Sequence, residues 1–168
     1  MTFRSLVIAS VVLILDRMTK LWIVAELDLG ERIPVLPVFD IVRWHNEGAA
    51  FSVLATAGGW QRWMFVALAV FFLGFIVWEL RRLPRGNVLM LWVYGLLMGG
   101  AVGNLVDRVW QGYVVDFLLV YWHDAYFPAF NVADSALTVG AVLWGWAMYR
   151  ESREQKRAAL QSGGGSGR

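Results

Sequence analysis

The 168-residue sequence contains no cysteine. That absence excludes disulfides, a thiol nucleophile, thiolate metal ligands and lipidation of the protein itself. Charge is also scarce, at 17% Asp, Glu, Lys and Arg, against about 25% in soluble domains. The net charge of +2 is too small to suggest nucleic acid as a partner. His45 and His123 stand far apart without metal-ligand spacing, and His-Glu-x-x-His is missing. Gly-x-Ser-x-Gly, a phosphate loop, a dinucleotide fingerprint and any internal repeat are missing as well. So is the Gly-x-Gly-Asp signature of some intramembrane aspartyl proteases.

What the chain has instead is apolar length. It is 58% hydrophobic, with ten Trp and a mean hydropathy of +0.53, well above the roughly 45–50% of soluble domains. Lipid is therefore the expected solvent. A span needs about 20 mostly apolar residues, and four stretches qualify, at about 3–25, 60–80, 88–110 and 134–149. Helices are expected, because an open sheet edge in hydrocarbon would leave backbone groups unpaired. The first stretch has no small-x-small cleavage site and is read as a retained span.

Basic residues orient the spans. Arg4, the loop Arg81-Arg82-Leu83-Pro84-Arg85-Gly86, and Arg150, Arg153, Lys156 and Arg157 share one side of a four-span protein. Both termini are then cytoplasmic, and Glu26, Asp28, Glu31, Asp40, Glu47, Asp116 and Asp124 lie outside. Residues 1–150 form one helical membrane domain, and 151–168 a basic cytoplasmic tail ending in a linker-like Gly/Ser run. In the first outer loop, 26–59, Pro34 and Pro37 break any helix, while the β-branched and aromatic run Val38 to Trp44 suits a short strand. A small sheet on the outer surface is expected there.

Polar residues inside spans are costly, and each needs a reason. Asp16 and Lys20 at i,i+4 can pair, either as a structural ion pair or as support beside a site. Gly95, Gly99 and Gly103 form a small-xxx-small face for helix packing. Asn104, Asp107 and Arg108 follow on one face near the outer end, as a structural network or as a scaffold for a reactive group. Asp116 sits in an apolar run and could be a surface carboxylate; Asp134 opens the last stretch and could be a helix N-cap. Both belong to the outer boundary, and the chain folds back between them. Two carboxylates meeting in a poorly hydrated place cannot both ionise easily. Such a pair can activate water and protonate a leaving amine. An ion-coupled transporter is the rival class, but inverted repeats and broken midplane helices are missing. A membrane adaptor would not gather so many polar groups at one depth.

Five segments in order resemble the lipoprotein signal peptidases, the bacterial type II signal peptidases. They are Asp16-Arg17-Met18-Thr19-Lys20, Asn46-Glu47-Gly48-Ala49-Ala50-Phe51, Gly99 through Arg108, Val115-Asp116-Phe117, and Phe127 through Asp134. The departure is Arg17, where Gln is more usual. The resemblance implies an aspartic protease of the bacterial inner membrane that cleaves prolipoproteins just before a diacylglyceryl-modified Cys. It implies Asp116 and Asp134 as the catalytic pair. Asp16, Lys20, Asn46, Gly48, Asn104, Arg108, Asn131 and Ala133 are implied to support the pair or line the substrate site. No metal or organic cofactor is implied, and the cyclic depsipeptide globomycin is the expected inhibitor. Trp44 and Phe51 of the first outer loop are expected to clamp over bound peptide.

Overall fold

A computed structural model describes residues 2–48, 59–84 and 86–163 of the chain. Four helices carry the mass of the fold: α1 (Thr2–Glu26), α2 (Trp60–Arg82), α3 (Val88–Trp110) and α4 (Val132–Gly163). Helix α3 is the central post, packed against each of the other three. In its apolar stretch 67% of residues are buried, against 11% for α2. A helix apolar on every face and still exposed, as α2 is, needs an apolar solvent. By length and composition α2 and α3 are each able to cross a membrane. Helices α1 and α4 are as long but carry charge: Asp16, Arg17 and Lys20 in the first, Asp134 and a basic C-terminal half in the second.

The glycine stripe seats α1 on α3. A Cβ at Gly99 would lie 2.6 Å from the Cβ of Val12, and one at Gly95 would lie 2.7 Å from the Cβ of Ile8. Only hydrogen fits there. Gly100, on the next face, meets the carbonyl of Ala133 in the same way and lets α4 close in. At the other end Ser5 donates from Oγ to the Leu91 carbonyl, 3.0 Å, which fixes the parallel register of α1 and α3. A core of Ile76, Leu80, Leu91, Val93, Tyr94, Leu97 and Met98 fills the space between α2 and α3, with Trp144 of α4 beside it.

The sheet is larger than the first outer loop alone. Its strands are β1 (Arg32–Leu36), β2 (Phe39–Asn46), β3 (Val114–Trp122) and β4 (Ala125–Tyr126), antiparallel in that order. The expected strand in the first loop is β2. The apolar run that holds Asp116 supplies β3, and β2–β3 pairing joins the segment after α1 to the segment after α3. Pro34 sits in edge strand β1, where its missing N–H costs no ladder bond. Val115 and Phe117 of β3 pack on Ile23 and Leu27, so the sheet stands on the end of α1.

Two boundaries differ from expectation. Helix α4 begins at Val132, two residues before Asp134, and continues past 149 through its charged half to Gly163. The second difference is explained by local pairing: exposed Arg150 and Glu154 meet at i,i+4, and such pairs support a helix outside any apolar environment. Ala49, Ala50, Phe51, Arg85 and residues 164–168 lie outside the described residues.

Candidate active site

Strand β3, the end of α3 and the start of α4 converge on one spot. Phe117 and Leu118 donate backbone N–H groups to the Phe130 carbonyl at 3.0 and 2.8 Å, and Phe130 returns one to Leu118 at 3.0 Å. This clasp places Asp116 beside the residue that opens α4.

That residue is Asn131. It is the N-cap of α4 and Asp134 is its third helical residue, so the two form a capping box. The Asn131 Oδ1 accepts from the Asp134 N–H at 2.9 Å, and Asp134 Oδ2 accepts from the Asn131 N–H at 3.2 Å. The capping role considered for Asp134 thus belongs to Asn131. The other end of the same amide turns to Asp116: Nδ2 donates to Oδ1 at 2.7 Å. One fully buried residue therefore reaches both carboxylates, Asp116 through its side-chain amide and Asp134 through its backbone N–H.

Two more amides complete the frame. Asn46 donates from Nδ2 to Asp116 Oδ2 at 2.9 Å. It can do so because it pairs with Val114 across the sheet, putting Asp116 on the neighbouring diagonal position of the same face. Its Oδ1 is held by the Gly48 N–H at 2.9 Å. Gly48 has φ +93°, and a Cβ there would lie 2.4 Å from the Phe65 ring, so both backbone and space demand glycine. From α3, Asn104 donates from Nδ2 to Asp134 Oδ1 at 2.7 Å. Three asparagines, from β2, α3 and the start of α4, thus hold two aspartates.

Asp116 is buried and Asp134 half-buried. Burial pushes the Asp116 carboxyl from near 3.8 up to about 7, and the charge of Asp134 pushes in the same direction. Donors from Asn46 and Asn131 pull it back only in part, because neutral amides stabilise an anion less than a cation does. Arg108 lies within electrostatic reach of both acids. It donates a long 3.4 Å hydrogen bond to the Asn104 carbonyl, and its guanidinium stands 5.1 Å over Phe65. Its buried Nε has no partner among the described residues.

Behind this frame lies a second polar cluster. Lys20 places its Nζ 2.8 Å from Asp16 Oδ2, 2.8 Å from Asp107 Oδ2 and 3.2 Å from Asn104 Oδ1. Arg17 pairs with the other oxygen of Asp107. Asp16 Oδ1 accepts the Ala133 N–H at 3.0 Å, a free amide of the first turn of α4. All eight supporting residues named from the sequence thus fall in or directly against the two clusters. Two further residues belong with them: Asp107 and Arg17. The signal for Asp107 is its place three residues, one turn, beyond Asn104; Arg17 has no signal except its departure from Gln. Trp44 pairs opposite Asp116 but is exposed, and Phe51, its expected companion, lies outside the described residues. Among the described residues no three His, Asp or Glu side chains gather to hold a metal ion.

Chemically, the first cluster offers a proton held near neutrality beside a second carboxylate that reaches the surface. A solved bacterial membrane enzyme superposes with a TM-score of 0.79 over 88% of both chains at 34% identity. The fold is thus that of a helical membrane enzyme. The sequence model described as signal peptidase (SPase) II matches residues 8–150. The lipoprotein signal peptidase of Pseudoalteromonas atlantica is 46% identical over 83% of this chain and 85% of its own. That of Shewanella amazonensis is 49% identical over 79% of each. The chain belongs to the signal peptidase II family and is a peptidase.

Proposed function

We propose that this protein removes signal peptides from diacylglyceryl-modified prolipoproteins, cutting just before the lipid-bearing Cys, with Asp116 and Asp134 as its catalytic pair. The observation that carries the pair is the amide frame: two carboxylates share one asparagine, one through its side chain and one through its backbone N–H, with no cation bonded to either among the described residues. Such a pair retains one proton between them. The ionised acid takes a proton from water, whose oxygen attacks the scissile carbonyl carbon. The protonated acid then delivers its proton as the C–N bond breaks and the amine leaves. Asn46, Asn104 and Asn131 position the two acids. Asp16 and Lys20, with Asp107, hold α1, α3 and α4 together behind the acids, and Arg108 supplies positive charge for the oxygen that becomes negative.

In this reading all four helices cross the bacterial inner membrane and both termini are cytoplasmic, so the sheet and the carboxylates face the periplasmic boundary. Residues 1–150 are the protease unit, and the charged half of α4 extends into the cytoplasm. Twenty-five residues in α1, at about 1.5 Å each, exceed the roughly 30 Å of hydrocarbon. The mid-helix charges of Asp16 and Lys20 are tolerated because they are paired inward. A substrate anchored by acyl chains in the outer leaflet arrives at the depth of Asp116 and Asp134. Globomycin would compete for the same place.

The test is turnover of one precursor in lipidated and unlipidated forms by purified protein. Cleavage of the lipidated form alone, inhibited by globomycin, is expected. Equal cleavage of both forms would remove the lipid from the substrate definition.

A further inference from the structure

Away from the carboxylates, an open groove of about 680 Å³ lies along the N-terminal halves of α1 and α3. Phe3, Val7, Val11, Trp92 and Leu96 line it, and Arg4 is the one charged residue on its wall. The groove runs from the first turns of both helices, since Phe3, Arg4 and Val88 all border it. The Ser5 to Leu91 bond explains why Arg4 is there: with Ser5 turned onto α3, its neighbour is carried round to the groove. No carboxylate among the described residues pairs with Arg4, and its side chain is exposed.

We infer that this groove binds one anionic phospholipid, its acyl chain lying along Val7 and Val11 and its phosphate against Arg4. The inference rests on the orientation proposed above, which puts this end in the cytoplasmic leaflet. The occupant follows from shape and charge together. An elongated apolar channel open along the helix axes fits a hydrocarbon chain, and a lone guanidinium at the end where headgroups lie fits a phosphate. A second copy of the chain would have to bring a carboxylate to Arg4 from a face otherwise apolar. Anionic lipid supplies that charge already, on the side where the other basic residues, Arg81 and Arg82, end α2.

The experiment is native mass spectrometry of the full chain in neutral detergent, with phosphatidylglycerol and phosphatidylcholine of the same acyl chains as probes. Wild type is expected to retain one phosphatidylglycerol in preference to phosphatidylcholine. Arg4→Gln should lower phosphatidylglycerol retention about fivefold and leave phosphatidylcholine unchanged. Val11→Trp, which fills the channel from an exposed position, should lower both. Equal retention of the two lipids by wild type, unchanged retention in both variants, or a dimer that Val11→Trp disperses would each overturn the proposal. No cleavage is read, so failure of the peptidase reading would leave these results intact. Labelling of Asn87→Cys by impermeant thiol reagents in cells tests the orientation separately.

Discussion

The two polar clusters at the C-terminal end of α3 use the same acid and opposite partners. Asp16 and Asp107 face the ammonium of Lys20, and Asp107 also faces the guanidinium of Arg17. Among the described residues, Asp116 and Asp134 bond only to asparagine amides and a backbone N–H group. A buried carboxylate beside a cation ties helices together through that pairing. One beside neutral amides is fixed in position while its proton remains exchangeable. The first arrangement suits holding α1, α3 and α4 in register; the second suits proton transfer. Asn104 joins the two, accepting from Lys20 and donating to Asp134.

The contrast breaks first at the carboxylates. Asp116→Asn and Asp134→Asn should each lower cleavage of a diacylated precursor by roughly 10⁴-fold with an intact melt, and the double variant should cost little more. A folded single variant that cleaves near the wild-type rate would move the chemistry elsewhere. The ion cluster breaks next. Lys20→Met strands buried Asp16, leaves Asp107 with Arg17 alone, and should cost about 3–5 kcal/mol of stability. A normal melt with lost cleavage would instead make Lys20 part of the chemistry.

The pH dependence of stability sharpens the comparison. Asp116 holds its proton more tightly in the folded chain than in the unfolded one, so stability should fall as pH rises from 3.8 to about 7. Above that range the loss is complete. Asp116→Asn, which mimics the protonated acid, should remove this decline and melt higher than wild type at neutral pH. A steeper decline in the variant would assign the proton to another group. The smallest effect belongs to Arg17→Gln. Its half-buried partner bond is backed up by Lys20, so a loss of about 1 kcal/mol or less is expected, with cleavage retained. A loss as large as that of Lys20→Met would make Arg17 an equal member of the cluster.

Much of this is legible in the residues. Apolar length locates the four helices, and β-branched density locates β2. The spacing of Asn104, Asp107 and Arg108 announces a polar face. What is not legible depends on contacts distant in sequence. The pairing of Trp44 with Asp116 crosses two helices, and nothing local announces it, so β3 reads only as an apolar run. The start of α4 is easily misplaced because Asp is a common N-cap; Asn131, three residues earlier, fits the same rule and forms the capping box. The charged extension of α4 lies beyond the apolar signal that marks the span. Arg17 pairs across 90 residues with Asp107, a partner no window could supply.

The Asp16–Lys20 pair also bears on how the chain is assembled. Helices α1 and α3 are neighbours in space, but α2 is made between them, so α1 must wait for its partner. An acid and a base one turn apart on the same helix neutralise each other before any other helix arrives. Asp107 then joins a pair that already exists, and the glycine stripe closes over it. On the four-span reading proposed above, the helix that carries this buried charge is able to enter the bilayer first, and alone.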